Sequence, residues 1–312
     1  MILPALTVVP LPLPPDGVGR LLAFQGLTYP RFQALLTQSD PDVTGCAVCA
    51  WQDGQPAGLA LVVWQDGQAR LLSVMVPARL RRQGLGRALL TAAADQARAA
   101  GAATLTAQHN SRLKTLAAYS ACLDACGWPP VELMLVREQA PARWAYDAAQ
   151  TYARHHARLV RRGYAVTGWD AAAEGDLAQA RALMPQALAP DGAVFDPFTT
   201  AEQDDPALSV LLYRGPDVCG WVKARWEPAP DGQPPTVVYY HTGWVRPDLA
   251  RQGWLVMAMI DVSRRQADLA GPDTVTAYGT HGANLAMQGI LSDRFGAFAE
   301  RIDRLYRRTL PL

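Results

Sequence analysis

Residues 71–101, LLSVMVPARLRRQGLGRALLTAAADQARAAG, run as a strand, a glycine-bearing turn and a helix. Leu71 to Val76 is a short apolar run ending in Val-Met-Val, the pattern of a buried strand. Leu85, Ala88, Leu89, Ala92 and Ala93 then recur at helical spacing, and Gly101 closes the helix. Between strand and helix lies Arg81-Arg82-Gln83-Gly84-Leu85-Gly86. A helix N-terminus presents backbone N–H groups without intrahelical partners, and its dipole favours negative charge. Glycines let a phosphate come close to the backbone. Arg81, Arg82 and Arg87 add positive charge beside it. The stretch therefore predicts an anion site, sized for a diphosphate.

Three nucleotide-type turns compete for this pattern. A P-loop needs Gly-Lys-Ser/Thr, and the chain has Gly86-Arg87-Ala88. A dinucleotide fingerprint needs a third glycine where Leu89 stands. The acyl-CoA turn, Arg/Gln-x-x-Gly-x-Gly/Ala, is met in full by Arg81, Gly84 and Gly86. With Val74-x-Val76 before it and Arg87-Ala88-Leu89-Leu90 after it, the stretch resembles the GNAT superfamily of acyl-CoA-dependent N-acyltransferases.

The order of elements extends the resemblance. Leu6 to Leu11, Gly45 to Trp51 and Ala57 to Trp64 read as strands, with a helix over Asp16 to Thr37 between the first two. After the organising helix, Ala103 to Gln108 is a strand, Leu113 to Cys126 a helix closed by Gly127, and Val131 to Arg137 a last strand. Gln139 to Ala142 is a proline-containing break, and Trp144 to Arg161 a connecting helix. From Tyr164 the pattern begins again. Leu6-Thr7-Val8-Val9 matches Tyr164-Ala165-Val166-Thr167, and Gly58 and Trp64 match Gly220 and Trp226. Val76, Arg82, Gln83, Gly84 and Gly127 match Val245, Arg251, Gln252, Gly253 and Gly296, with PAPDGQPP inserted in the second hairpin.

The expected architecture is α/β: two tandem GNAT folds, each a mixed, mostly antiparallel sheet flanked by helices, splayed between strands four and five. The expected boundaries are 1–140 for the first fold, 141–160 for a linker helix and 161–312 for the second fold. The second turn has Ala250 in place of Arg81 and Leu255 in place of Gly86, with bulky Trp254 between Gly253 and Leu255. This copy is read as a structural partner with an eroded acyl-CoA turn, although Asn284, Met287 and Phe295-Gly296 still resemble the family. Its Trp221, Trp226, Trp244 and Trp254 read as apolar surface in excess of what one exposed domain carries, so the halves are expected to be inseparable.

Composition narrows the function classes. The 312 residues suit two domains and are 50% hydrophobic, enough for real cores. A net charge of +1 excludes a polybasic footprint, so neither nucleic acid nor an anionic membrane is an expected partner. The proline-broken N-terminus lacks a basic region and reads as a strand, so a cytoplasmic protein is expected, monomeric or homodimeric. Of the five cysteines, Cys46 and Cys49 fall on opposite faces of a strand, and Cys122 and Cys126 share a helix face. Such placement suits small buried hydrophobes better than a zinc site, and no metal is expected.

The resemblance implies acetyl-CoA as co-substrate. Main-chain groups of Val74 and Val76 would pair with the pantetheine. The N–H groups of Arg82, Gln83, Gly84, Leu85, Gly86 and Arg87 would hold the diphosphate, with Arg81 beside them and Asn110 a further cofactor contact. An N–H near Val74 would polarise the thioester. An alkylammonium must lose a proton before it attacks. The fourth strand carries no carboxylate, so His109 and Glu132 are the proposed bases. The family's helix tyrosine would fall at Leu123, which leaves Tyr119, one turn earlier, as the candidate acid. Trp51, Trp64, Trp128, Tyr29 and His241 are the expected lining of an acceptor pocket. No cysteine lies beside a His–carboxylate pair, so direct transfer without an acetyl-enzyme is expected. Two functions follow: an N-acetyltransferase for a primary amine of a small molecule or peptide, or a non-catalytic acyl-CoA-binding or scaffold protein.

Overall fold

The computed structural model describes residues 6–13, 19–37, 43–188, 195–199, 201–229 and 233–312. They form two compact units: Met1–Glu132 with Leu305–Leu312, and Leu133–Arg304.

The first unit is built on β1 (Leu6–Leu13), β2 (Thr44–Gln52), β3 (Gln55–Gln65), β4 (Gln68–Met75) and β5 (Thr104–Asn110). These pair in sequence order, antiparallel except for β4 with β5, which are parallel. Tight turns at Asp53-Gly54 and Asp66-Gly67 join β2 to β3 and β3 to β4, with positive φ at all four residues. Short helices α1 (Gly19–Leu22) and α2 (Pro30–Gln33) precede β2. The single helix expected over 16–37 is thus broken into separate turns, and Asp16 lies outside the described residues. Thr28 is fully extended (φ −146°, ψ 171°) just ahead of Pro30, so no helix can run through it. α3 (Leu85–Ala99) and α4 (Leu116–Ala125) follow β4 and β5. α3 is rich in alanine and leucine, and it buries Leu85, Leu89, Leu90, Ala93, Ala94 and Ala97 on one face of the sheet. Cys46 sits in that core and Cys49 in the core of the opposite face, as the alternation of a strand requires.

The second unit repeats the order: β7 (Tyr164–Gly168), α7 (Glu174–Leu183), β8 (Val210–Arg214), β9 (Asp217–Trp226), β10 (Val237–Val245), α8 (Trp254–Ala270), β11 (Val275–His281) and α9 (Leu285–Ile290). α5 (Trp144–Thr151) and α6 (Ala153–Val160) precede β7, so the expected connecting helix breaks at Tyr152 (φ −99°, ψ 9°). The proline-rich insertion after β9 lies partly outside the described residues. Gly220 occupies the place of Gly58: a Cβ there would collide with the Trp244 carbonyl, as one on Gly58 would with Leu89 and the Met75 carbonyl. The repeated glycines therefore mark one close approach between strands three and four, made twice.

The compact units differ from the contiguous cut at 140 and 161. The last strand of each repeat completes the other repeat's sheet. β12 (Arg301–Pro311) runs antiparallel to β5, Leu305 opposite Asn110 through Pro311 opposite Thr104. β6 (Glu132–Pro141) runs antiparallel to β11, Leu135 opposite His281 through Pro141 opposite Val275. The expected break at 139–142 is therefore strand as far as Pro141, which closes the ladder at an end position where a missing N–H costs little. The tryptophans read as surplus surface are accounted for within the second unit. Trp221 and Trp254 are wholly buried, Trp244 is nearly so and stacks 4.7 Å from Trp221, and Trp226 packs against the core.

Candidate active site

In the first unit β4 and β5 stay paired only from Gln68–Thr104 to Leu71–Ala107. A bulge opposite Leu61 and Val62 then turns β4 away, so Val74 and Val76 lie on an edge that has left β5. Both pack on the core that holds α3. Bulging also turns Ser73 to the opposite face, where its hydroxyl meets that of Thr28 at 2.9 Å, both groups being buried. This pair ties the segment before α2 to the splayed part of β4. Nothing in the sequence pattern singled it out, since two isolated hydroxyl residues 45 positions apart carry no spacing signal.

The turn after β4 forms an anion cradle. Gly84 caps α3 in the left-handed region (φ 83°), and Arg82 also has positive φ (64°). Among the described residues, the N–H groups of Leu80, Arg81 and Ala88 bond to Pro77, Ala78 and Gly84, and no acceptor pairs with those of Arg82 through Arg87. A run of free N–H groups at a helix N-terminus is the donor set a diphosphate needs. Arg82 and Arg87 stand exposed beside it, while Arg81 donates from Nε to the Val76 carbonyl at 3.0 Å and closes the loop. Gly86 faces α4: a Cβ there would come 3.1 Å from Cys122 Sγ. These groups fit a CoA diphosphate at the turn.

Of the proposed proton carriers, the structure brings two together. His109 on β5 is 7% exposed, with its ring edge-on to Tyr119 at 5.5 Å and tilted against Tyr306 at 5.5 Å. Its Nδ1 is buried without a partner. Burial, and then the charge of Arg308, hold the imidazole below its usual pKa. Tyr119 is half-buried and packs with Cys122 on the α3 core. Burial, then the neighbouring Tyr29, push its phenol up, so it stays protonated at neutral pH.

Glu132 lies apart from them. Its carboxylate accepts from Arg307 Nε and Nη2 at 3.2 and 2.9 Å. Arg307 neighbours Tyr306 on β12, so the two point to opposite faces of the sheet. Asn110 Oδ1 accepts from the Arg112 N–H at 2.8 Å, a turn that shapes the loop into α4.

Of the expected pocket residues, Trp128 is in the core, Trp51 packs edge-on against Phe24 at 4.8 Å, Trp64 is half-buried, Tyr29 is exposed, and His241 belongs to the second unit. All five cysteines are free. Burial pushes the Cys46, Cys49 and Cys219 thiols up to about 12 and raises those of Cys122 and Cys126. No thiolate is therefore available at neutral pH for covalent catalysis.

The second turn keeps the backbone form, but the His155 ring lies against it. Gly253 caps α8 with φ 81°. Trp254 is wholly buried against Tyr164, ring centroids 5.4 Å apart. A Cβ on Gly253 would collide with the His155 ring, whose Nδ1 is 2.6 Å from Arg158 Nη2. Gln252 is held by Arg162 and by the Asp248 carbonyl. Side chains of α6 thus cover the surface that the first unit leaves open.

Comparison with known proteins agrees with this geometry. Residues 20–122 match the Acetyltransferase (GNAT) family. Over 98% of its length the chain is similar to 98% of a tandem GNAT protein from the clavulanic acid biosynthesis pathway, with 14% identity and a TM-score of 0.51. It is similar over 98% of its length to 96% of a GCN5-related N-acetyltransferase from Sphaerobacter thermophilus, with 17% identity and a TM-score of 0.52. A fungal glucosamine N-acetyltransferase region within a multi-domain GH3 β-N-acetylglucosaminidase matches 99% of this chain with 38% of its own, at 12% identity and a TM-score of 0.54. No curated protein matches the sequence. The match to the GNAT acetyltransferase family thus covers residues 20–122, and the fold of the chain is that of tandem GNAT proteins.

Proposed function

We propose that the first unit transfers an acetyl group from acetyl-CoA directly to a primary amine of a small molecule or peptide. The observation that carries this reading is the row of unpaired N–H groups from Arg82 to Arg87 at the mouth of the β4–β5 splay. The turn would hold the diphosphate, and the free edge at Val74 and Val76 would hold the pantetheine. Bound acetyl-CoA supplies an activated acetyl thioester. Tyr119, protonated and half-buried, is suited to give its proton to the departing thiolate. His109, neutral and in ring contact with Tyr119, is suited to accept a proton relayed from the amine.

Calorimetry is expected to show one acetyl-CoA per chain, because only the first turn is open. Two per chain would remove the distinction between the turns. Thiol release across a panel of amines separates the enzyme from a non-catalytic acyl-CoA-binding protein: saturable binding with no release on any amine would favour the latter.

The proton assignments have a pH signature. General acid–base groups contribute about 10²–10⁴ in rate. Tyr119→Phe is expected to lower kcat by roughly 10²-fold with acetyl-CoA affinity nearly unchanged. His109 titrates below its ordinary 6.5, so the parent rate should fall only on acidification beyond that value. His109→Gln should flatten this limb, and an unchanged profile would remove His109 from the mechanism. Stability follows the same sign. Below pH 6.5 the unfolded chain takes up a proton that the folded chain refuses, so stability is lost as pH falls toward the lowered pKa. His109→Gln should lessen that loss.

A further inference from the structure

The second unit contains a cavity of about 520 Å³ where β10 leaves β11. The two strands pair from Val237–Val275 to Tyr240–Tyr278, and a bulge between Tyr240 and Thr242 then turns β10 away. The cavity is mainly apolar: Tyr239, Trp244, Leu255, Met259, Met287 and Ile290 contribute to its wall. It sits where the first unit would take the pantetheine, yet Trp254 and His155 cover the turn a diphosphate needs. Leu255, in the place of Gly86, fills part of the wall. An open cavity has been kept while its CoA anchor has been lost.

A chain of buried polar groups reaches this wall. Lys223 Nζ lies 3.2 Å from Asp204 Oδ2, with the two side chains 2% and 1% exposed. The ammonium also sits 3.8 Å over the Trp169 ring. Asp204 Oδ1 is 2.7 Å from His241 Nε2, and His241 Nδ1 is 2.8 Å from Thr242 Oγ1. The hydrogens follow from the partners. The carboxylate is charge-balanced by Lys223 and accepts from Nε2–H. Nδ1 is then an acceptor, so Thr242 donates its only proton to it. Thr242 Oγ1 is left with lone pairs at the cavity wall and no proton to give. Of the other hydroxyl residues that line this wall, Tyr240 bonds the Val262 carbonyl and Gln266, and Tyr278 the Met259 carbonyl and Ser263, while Tyr239 and Thr280 also contribute to it.

We propose that this cavity is a binding site for an uncharged, hydroxyl-bearing aromatic or aliphatic molecule, whose O–H donates to Thr242 Oγ1 while its apolar body fills the space beside Trp244. A cation is disfavoured, because both oxygens of Asp204 are engaged and a buried ammonium would find no counter-charge. A molecule with no donor is disfavoured because it leaves Oγ1 desolvated and unpaired.

The probes are 3-phenylpropan-1-ol, its methyl ether and 3-phenylpropylamine, read by tryptophan fluorescence of the full chain. The alcohol is expected to bind saturably, about tenfold tighter than the ether or the amine, with the signal lost in Trp244→Phe. Thr242→Val keeps the shape and removes the acceptor, so it should bring alcohol and ether to within about twofold. Acetyl-CoA should leave the alcohol's affinity unchanged, and Thr242→Val should keep the parent's near-ultraviolet circular dichroism and thermal unfolding transition, which shows that the second unit of the variant is folded. Absence of saturable alcohol binding, equal binding of the ether, or displacement by acetyl-CoA would each overturn the proposal. None of these results bears on the acetyl-CoA site of the first unit.

Discussion

Deleting residues 301–312 is expected to unfold the first unit, although these residues lie at the far end of the sequence. Residues Leu305 to Pro311 form the ladder on the outer edge of β5. Leu310 and Leu312 pack on the core shared with α3. Arg308 is 6% exposed and pairs with Asp124 on α4, and Tyr306 covers His109. Each large apolar side chain buried contributes about 1.5–3 kcal/mol, against a total stability of about 5–15 kcal/mol for a domain. Losing the strand also opens an edge on β5, which promotes aggregation.

The same reasoning predicts that a 1–140 fragment precipitates or fails to bind acetyl-CoA. A chain of 1–132 joined by a flexible linker to 305–312 should instead fold and bind it. Hydrogen exchange at Leu105 and Ala107 measures the effect directly: unchanged protection after the deletion would show that β12 does not hold the unit together.

The second large effect belongs to Gly86→Leu, which copies the residue at position 255. A Cβ at Gly86 already lies 3.1 Å from Cys122 Sγ, closer than is comfortable, and three further carbons must push α3 from α4 or swing over the turn. Either way the N–H groups of the cradle lose their alignment. Charge-assisted hydrogen bonds contribute about 1.5–3 kcal/mol each, so losing one or two should weaken acetyl-CoA binding on the order of 10²-fold. Gly86→Ala should cost far less, since Cys122 needs to give only a few tenths of an ångström. Calorimetry on the three proteins decides: a Leu variant that binds as the parent does would mean that the turn is not where the diphosphate lies.

The turn and the tandem repeat were legible because both are local. Gly84 and Gly86 act through backbone geometry and the Arg81 side chain reaches only as far as Val76, and a glycine needed for positive φ or close approach leaves its mark at its own position. Gly58 and Gly220 are visible for the same reason. The alternation that separates Cys46 from Cys49, and the shared helix face of Cys122 and Cys126, likewise depend only on the period of one element.

What the sequence could not decide was which strand lies beside which. β6 and β12 end equivalent repeats and carry similar patterns, so either satisfies the edge of β5 by periodicity alone. Register and side-chain fit choose β12, with Arg308 reaching Asp124 and Leu310 reaching the α3 core. The proton carriers divide on the same principle. His109 and Tyr119 meet because β5 and α4 pack together, whereas Glu132 is held by Arg307, a residue 175 positions away. Asp204, Lys223 and His241 come from separate segments and converge only once β9 and β10 are paired. Local geometry is written residue by residue; partners distant in the chain are selected by the packing of the whole sheet.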